Sequence, residues 1–370
     1  MMVSRGPEVK AYLQTMAVYP VGDSTTHGQR ALINLASNEN SMPLSDAVQQ
    51  ALIEAMSYVN RYSNNTCMEV IDGLAVMHAI DPEKLVCGNG SSELIFLLAE
   101  AFVSAGDDVV IWKHGYLLYE TAARRLGASI VRAASSQFMD VNALLDAVTE
   151  RTKLVYIDNP NNPSGAYISI DELRYLRQNL RKDILLVIDA AYAEYVVAED
   201  YDCGQRLVDE YDNVCMLRSF SKIYGLAGAR LGWMYGPREV IKAIRILQQP
   251  SSTSMVAQQA AIVAMREPER IVHICHQNQY LRNQFIDQCI TLGLNPHSSQ
   301  ANFVLVDFFS EHVARHVFSE LKRHGILVRP MAAYNLKSYL RFTIGISQEM
   351  DTLYVVLFEV ITQLSLSKNK

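Results

Sequence analysis

Ser219-Phe220-Ser221-Lys222-Ile223-Tyr224-Gly225-Leu226-Ala227-Gly228-Ala229-Arg230-Leu231-Gly232 joins two apolar runs, 214–218 and 231–235. Two hydroxyls and a lysine stand just beyond the first run, and an arginine stands just before the second. Hydroxyls with an arginine suit a phosphate, and glycines let backbone approach a ligand closely. A lysine beside a ligand in an apolar loop loses hydration, which moves it towards a neutral, nucleophilic amine. A solvated surface loop has a similar composition, so the flanking segments must decide.

Those segments alternate. Short β-rich runs at 85–87, 109–112, 129–132, 154–158, 184–189, 214–218 and 231–235 are separated by helical patterns at 91–104, 116–126, 141–148 and 170–181. Continuous apolar strands with helices between them predict an α/β fold: a large domain whose seven-stranded, mostly parallel sheet lies between helices. The gap between 218 and 231 leaves no room for a full helix, so that connection is expected to be an antiparallel turn. Ligands in such sheets bind beyond the carboxyl ends of the strands. Pro250-Ser251-Ser252-Thr253-Ser254 breaks the pattern. Helices from 255 and over 269–292, 311–324 and 350–364, with strand-like runs at 302–307, 326–328 and 339–344, then predict a smaller α+β domain. The division is 1–40 as an N-terminal arm or part of the small domain, 41–250 as the large domain and 251–370 as the small one.

Composition excludes several classes. The chain has 370 residues, 49% hydrophobic and 19% charged, with a net charge of −6. It is too apolar for disorder and of the wrong sign for a non-specific nucleic-acid or anionic-membrane binder. The longest apolar run, 94–106, is interrupted by Glu100 and reads as a buried helix rather than a membrane span. No apolar core follows the N-terminal Met1-Met2-Val3-Ser4-Arg5 to make a signal peptide. Six cysteines without a C-x-x-C pair fit reduced thiols of a cytoplasmic protein. His273 and His276 share a helical face, but two ligands alone make a poor metal site, and none is expected.

Two further segments end strands with chemistry. Asp158-Asn159-Pro160-Asn161-Asn162-Pro163-Ser164-Gly165 ends one in a rigid turn, and Val187-Ile188-Asp189-Ala190-Ala191-Tyr192 ends the next in a carboxylate. A buried aspartate is costly unless paired with a cation or a donor; a pyridinium nitrogen or a structural arginine would serve.

With these segments the chain resembles the fold-type I pyridoxal-phosphate enzymes, the class I/II aminotransferases, and within them the histidinol-phosphate aminotransferase branch. The resemblance spans nearly the whole chain. It is carried by Asn38-Glu39-Asn40, Arg61-Tyr62, Gly88-Asn89-Gly90-Ser91-Ser92-Glu93-Leu94-Ile95, Asn161-Asn162-Pro163-Ser164-Gly165, Asp189 with Tyr192, the lysine loop, and Leu340-Arg341-Phe342. It implies an aspartate-aminotransferase-like fold and pyridoxal 5'-phosphate as cofactor. Lys222 would hold the cofactor as a Schiff base and act as base, and Asp189 would pair with the pyridine nitrogen. Asn162 and Tyr192 would bond its ring oxygen, and Tyr116 would stack on the ring. Gly90, Ser91 and Ser92 at a helix start, with Ser219, Ser221 and Arg230, would receive the phosphate. Tyr62 would reach the phosphate of a neighbouring subunit, implying a homodimer with shared active sites. Arg341, with Arg329, Tyr19 and Asn38, would line the substrate pocket.

The chain departs from the family's pattern at Ser41-Met42-Pro43, Ser63-Asn64, Ala190 and His114, none of them at the cofactor positions. The expected reaction is amino transfer from an amino acid donor to a 2-oxo acid or phosphorylated carbonyl compound. The alternatives are a decarboxylase of a phosphorylated amino acid resembling threonine-phosphate decarboxylase, an aromatic or broad-range aminotransferase, and a non-catalytic cofactor-binding regulator.

Overall fold

The computed structural model describes residues 8–19, 25–26, 29–30 and 33–368. Seven strands form the main sheet in the spatial order Leu85–Gly88, Gly232–Tyr235, Val214–Ser219, Leu185–Asp189, Thr152–Asp158, Asp108–Ile111, Ser129–Arg132. Only Gly232–Tyr235 runs antiparallel to its neighbours, which matches the short return loop after Ser219. The five strands from Val214–Ser219 to Ser129–Arg132 pair in parallel, with helices linking them along the chain. Their apolar side chains pack on both faces. One cluster joins Val110, Val155, Ile157, Leu186, Ile188 and Met216, and the opposite one joins Val109, Ile111, Leu154, Tyr156, Val187 and Leu217. This alternation is the two-residue period of a strand covered on both sides.

A four-stranded antiparallel sheet, Asn295–Pro296, Phe303–Asp307, Tyr339–Thr343 and Arg329–Pro330, packs against the helices Pro268–Thr291, Glu311–Arg323 and Ser347–Lys368. The N-terminal strand Ile33–Asn34 pairs in parallel with Ile326–Leu327, and Leu35 sinks into the same cluster. Helix Met255–Ala264, beyond the break at 250–254, instead buries Ala257, Ala260 and Ala261 against the large sheet's cluster. Helices Asp46–Met56, Met68–His78, Gln205–Glu210 and Arg238–Leu247 complete the elements that the sequence pattern did not mark. No helix among the described residues is long and apolar enough to cross a membrane.

The strand Gly232–Tyr235 lies against the start of helix Gly90–Phe102. A Cβ on Gly232 would sit 2.2 Å from the Ser91 amide nitrogen and 2.7 Å from the Gly90 carbonyl carbon. Both obstacles are backbone and cannot swing aside. Gly232→Ala is therefore expected to cost about 2–4 kcal/mol or prevent folding, and to lower the thermal midpoint by about 3–5 °C. An unchanged midpoint in a melting experiment would contradict this packing.

Candidate active site

The carboxyl ends of the parallel strands open into a cavity of about 350 Å³, within the range of small-molecule sites. Its walls include Tyr19, Asn38, Ser91, Ser92, Tyr116, Tyr119, Asp158, Asn162, Asp189, Tyr192, Ser219, Ser221, Lys222, Arg230, Arg329, Tyr334 and Arg341. Every residue that the sequence singled out lies there except two. Gly90 stands immediately before Ser91, behind the wall, and Tyr62 is 91% exposed and away from the cavity.

Asp189 forms the floor. It is the last residue of its strand and only 5% exposed; Tyr119 donates its hydroxyl to Oδ2 at 3.1 Å, and the Ala191 amide donates to Oδ1 at 3.2 Å. Burial pushes its carboxyl up to about 6, against the pull of these donors and of Lys222. Asp158 ends the adjacent strand in register with Asp189. Its Oδ2 accepts from the Asn162 amide at 2.7 Å and from Asn161 Nδ2 at 3.2 Å, while its Oδ1 is buried without a partner. Burial, with the neighbouring charge of Asp189, pushes Asp158 up to about 7.

Lys222 Nζ lies 3.2 Å from the Ser37 carbonyl and 5.7 Å from the centre of the Tyr192 ring. Enclosure by the cavity, then the charges of Arg341 and Arg230, pull its amine down to about 8, opposed by Glu39 and Asp189. It therefore gives up its proton more readily than an ordinary lysine near physiological pH. Tyr192 accepts a hydrogen bond from Asn38 Nδ2 at 2.9 Å, and burial pushes its phenol up to about 12.

An anion cradle lies to one side. Helix Gly90–Phe102 starts without a capping side chain, and Gly90 adopts φ 75°. A Cβ there would fall 2.2 Å from Arg230 Nη2, so only glycine lets the guanidinium approach the helix start. Arg230 donates through Nη1 to Ser221 Oγ at 3.1 Å, and the Ser221 amide donates to Ser219 Oγ at 3.0 Å. Uncapped amides, the hydroxyls of Ser91, Ser92, Ser219 and Ser221, and a guanidinium are the donor set for a phosphate dianion. Together with an amine of lowered affinity for protons and a buried carboxylate, they fit a phosphorylated aldehyde carrying a basic ring nitrogen.

A second cationic group lies opposite. Arg341 is 6% exposed; its Nη1 donates to Asn162 Oδ1, its Nη2 donates to the Ala36 carbonyl at 2.9 Å, and its Nε has no partner. Arg329 sits beside it in the next strand, paired with it in register. The aromatic wall is Tyr116, edge-on to Tyr119 at 5.6 Å and to Tyr19 at 6.5 Å.

Sequence reasoning missed Tyr119, Asp158 and Tyr334. Tyr119 follows Tyr116 by one helical turn, a spacing that puts both over the same strands. Asp158 was visible as a strand-ending carboxylate one strand from Asp189. Tyr334 sits in a short turn, Ala332–Tyr334, without a periodic signal.

The cavity and the doubly covered sheet fit an enzyme that binds a phosphorylated aldehyde cofactor. The family of aminotransferase class I and II matches residues 30–356, and the chain belongs to it, a transaminase that uses pyridoxal 5'-phosphate. Among curated relatives, the histidinol-phosphate aminotransferase of Rhodospirillum centenum is 40% identical over 94% of this chain and 96% of its own length. That of Paracoccus denitrificans is 37% identical over 90% of each. Among solved structures, the histidinol-phosphate aminotransferase of Sinorhizobium meliloti in complex with pyridoxal-5'-phosphate superposes with a TM-score of 0.89. It is 26% identical and covers 98% of this chain and 99% of that one. Aspartate aminotransferase from Thermus thermophilus shares the fold at a TM-score of 0.78 and 21% identity, over 89% of this chain and 92% of that one.

An acid whose folded value is raised favours the protonated, folded state. Stability from Asp158 is full below its ordinary 3.8 and is lost as pH rises through about 7. Asp158→Asn removes that loss. In the cofactor-free chain its thermal midpoint is expected to fall less than that of the wild type between about pH 5 and about pH 8, ending a few °C higher. Parallel calorimetric curves for the two proteins would contradict the assignment.

Proposed function

We propose that this chain transfers the amino group of histidinol phosphate to a 2-oxo acid. The observation that carries the reading is one cavity that holds a lysine amine together with two separate sets of cationic and donor groups, one at Arg230 and one at Arg341. The Gly90–Ser92, Ser219, Ser221 and Arg230 cradle suits the phosphate of the cofactor, and Arg341 with Arg329 suits a second anion on the substrate. The two relatives described above are named for this substrate.

Bound in the cavity, pyridoxal phosphate supplies an electron-accepting ring that stabilises negative charge developing on the substrate's Cα. The protein's residues do the rest. Asp189, ionised, would hold a proton on the ring nitrogen; Tyr119 and the Ala191 amide keep the carboxylate oriented for it. Tyr192 and the Asn162 amide group would donate to the ring oxygen, since Asn162 Oδ1 is already taken by Arg341. Tyr116 would cover one ring face. Lys222 Nζ would attach the cofactor and, once displaced by the substrate amine, remove the proton from Cα; its lowered affinity for protons suits both tasks. Arg341, fixed by Asn162 and Ala36, would fork onto the substrate anion, with Arg329 beside it and Tyr19 and Asn38 enclosing the rest.

We further read the chain as a cytoplasmic homodimer. Ile53, Met56, Tyr58, Val59, Met68 and Val76 are exposed apolar side chains of the 46–78 segment that also carries Tyr62, and a second copy would cover them. Tyr62 would then reach the partner's cofactor phosphate. The division into a large unit over 41–250 and a small one from 251–370 with the N-terminal arm belongs to the same reading, with helix Met255–Ala264 packing on the large unit.

Two substitutions test the roles. Lys222→Ala is expected to reduce transamination of histidinol phosphate at least about a thousandfold, and normal turnover would remove the lysine from the chemistry. Arg341→Ala should raise KM for the phosphorylated substrate about 10–100-fold and affect kcat less, as read from steady-state kinetics. An unchanged KM would rule out its part as the clamp.

A further inference from the structure

Asp158 is a buried carboxyl that the chemistry described so far leaves unused, and its setting is expensive. It is 3% exposed, lies in register with Asp189 on the neighbouring strand, and leaves Oδ1 without a partner. Two adjacent carboxyls in an apolar floor resist simultaneous ionisation, and a half-satisfied buried oxygen adds to the cost. Its contacts show what the cost supports.

The turn that follows Asp158 is mostly self-supporting. The Asn161 amide donates to the Ala166 carbonyl at 2.7 Å, the Gly165 amide to the Asn161 carbonyl at 2.7 Å, and Ser164 Oγ to Asn161 Oδ1 at 2.6 Å. None of these bonds engages the amide of Asn162. That N–H goes to Asp158 Oδ2 at 2.7 Å, at the short end for a backbone donor. Asn162 in turn uses its side-chain oxygen as one of the two acceptors that hold the Arg341 guanidinium, the other being the Ala36 carbonyl. A relay therefore runs from the floor to the clamp: carboxyl, backbone amide, side-chain amide, guanidinium.

We propose that Asp158 is a positioning residue for Arg341, acting through Asn162, so that recognition of the substrate anion depends on a carboxyl of the cavity floor. This rests on the reading of Arg341 as the clamp. The relay asks for an acceptor at position 158, not for a charge. An asparagine can offer its Oδ1 to the same N–H, whereas alanine offers nothing. Without the acceptor, Asn162 and the guanidinium it orients can both shift. Displacements of about an ångström in a positioning group cost up to about 100-fold in related situations.

The test compares Asp158→Ala, Asp158→Asn and Arg341→Ala with the wild-type holoenzyme. It measures kcat and KM with histidinol phosphate, and inhibition by inorganic phosphate, which reads the clamp without turnover. The absorbance spectrum of the bound cofactor is recorded for each. The alanine variant is expected to raise KM and the phosphate inhibition constant together by about 10-fold, exceeding any fall in kcat, with the cofactor still bound. Asp158→Asn should stay within about 3-fold of wild type on both. If alanine at 158 opens too large a hole for folding, Asp158→Leu, similar in shape and without an acceptor, carries the same expectation. The proposal is overturned if the acceptor-free variants leave phosphate inhibition unchanged while Arg341→Ala weakens it. It is equally overturned if the asparagine variant is as impaired as the alanine one, or if loss of cofactor is the main effect. Should Arg341→Ala itself leave inhibition unmoved, the clamp reading fails, and this proposal with it.

Discussion

A carboxylate buried at the end of a parallel strand has to be compensated, and much of this site is arranged around that requirement at Asp189. The strand delivers it to the bottom of the cavity with 5% of its surface exposed. Tyr119 from the neighbouring helix and the amide of Ala191 meet its two oxygens, and they still leave its affinity for protons raised. A cationic ligand nitrogen is the partner that this imbalance calls for. The floor thus favours one class of ligand before any substrate is considered. Lys222, with the opposite problem of a cation losing water, is pulled towards neutrality in the same enclosure. Burial pushes the acid and the base in opposite directions, each towards its neutral form.

The upper half of the cavity depends on contacts between distant parts of the chain. The backbone amide of Asn38 donates to Thr343 Oγ1 at 2.9 Å, its side chain donates to Tyr192, and Arg341 reaches back to Ala36. Asn302 Nδ2 donates to the Asn38 carbonyl at 3.1 Å. The 36–38 segment is in this way sewn between the four-stranded sheet and the floor of the large one. The anion clamp is correct only when all three are in place, which ties substrate recognition to the assembly of the whole chain.

Much of this was legible in the sequence because the decisive residues sit at places that sequence patterns mark. Asp189, Asn162, Lys222 and Arg230 follow or precede apolar strands, and seven strands were legible as apolar runs of the right length. Helix Met68–His78 was not. It is apolar on several sides, and it begins after Cys67 and ends at Ala79, both at φ 52°, where glycine or asparagine would ordinarily signal a boundary. Strand Arg329–Pro330 has two residues, too few for any period to show. Tyr334 reaches the cavity through tertiary packing alone. Asp158 illustrates a subtler gap, since its meaning depends on register with Asp189, and register between strands separated by a helix is set by packing rather than by local pattern.

The central claim is that one cavity with two anion groups moves an amino group from a phosphorylated amine. It is tested most directly by a half-reaction: the holoenzyme mixed with histidinol phosphate and no acceptor. Absorbance of the cofactor, carbonyl product and carbon dioxide are followed together. The account predicts about one equivalent of carbonyl product per active site and recovery of the starting spectrum when a 2-oxo acid is added. An inert mixture with histidinol phosphate, alongside release of carbon dioxide from phosphothreonine, would contradict it.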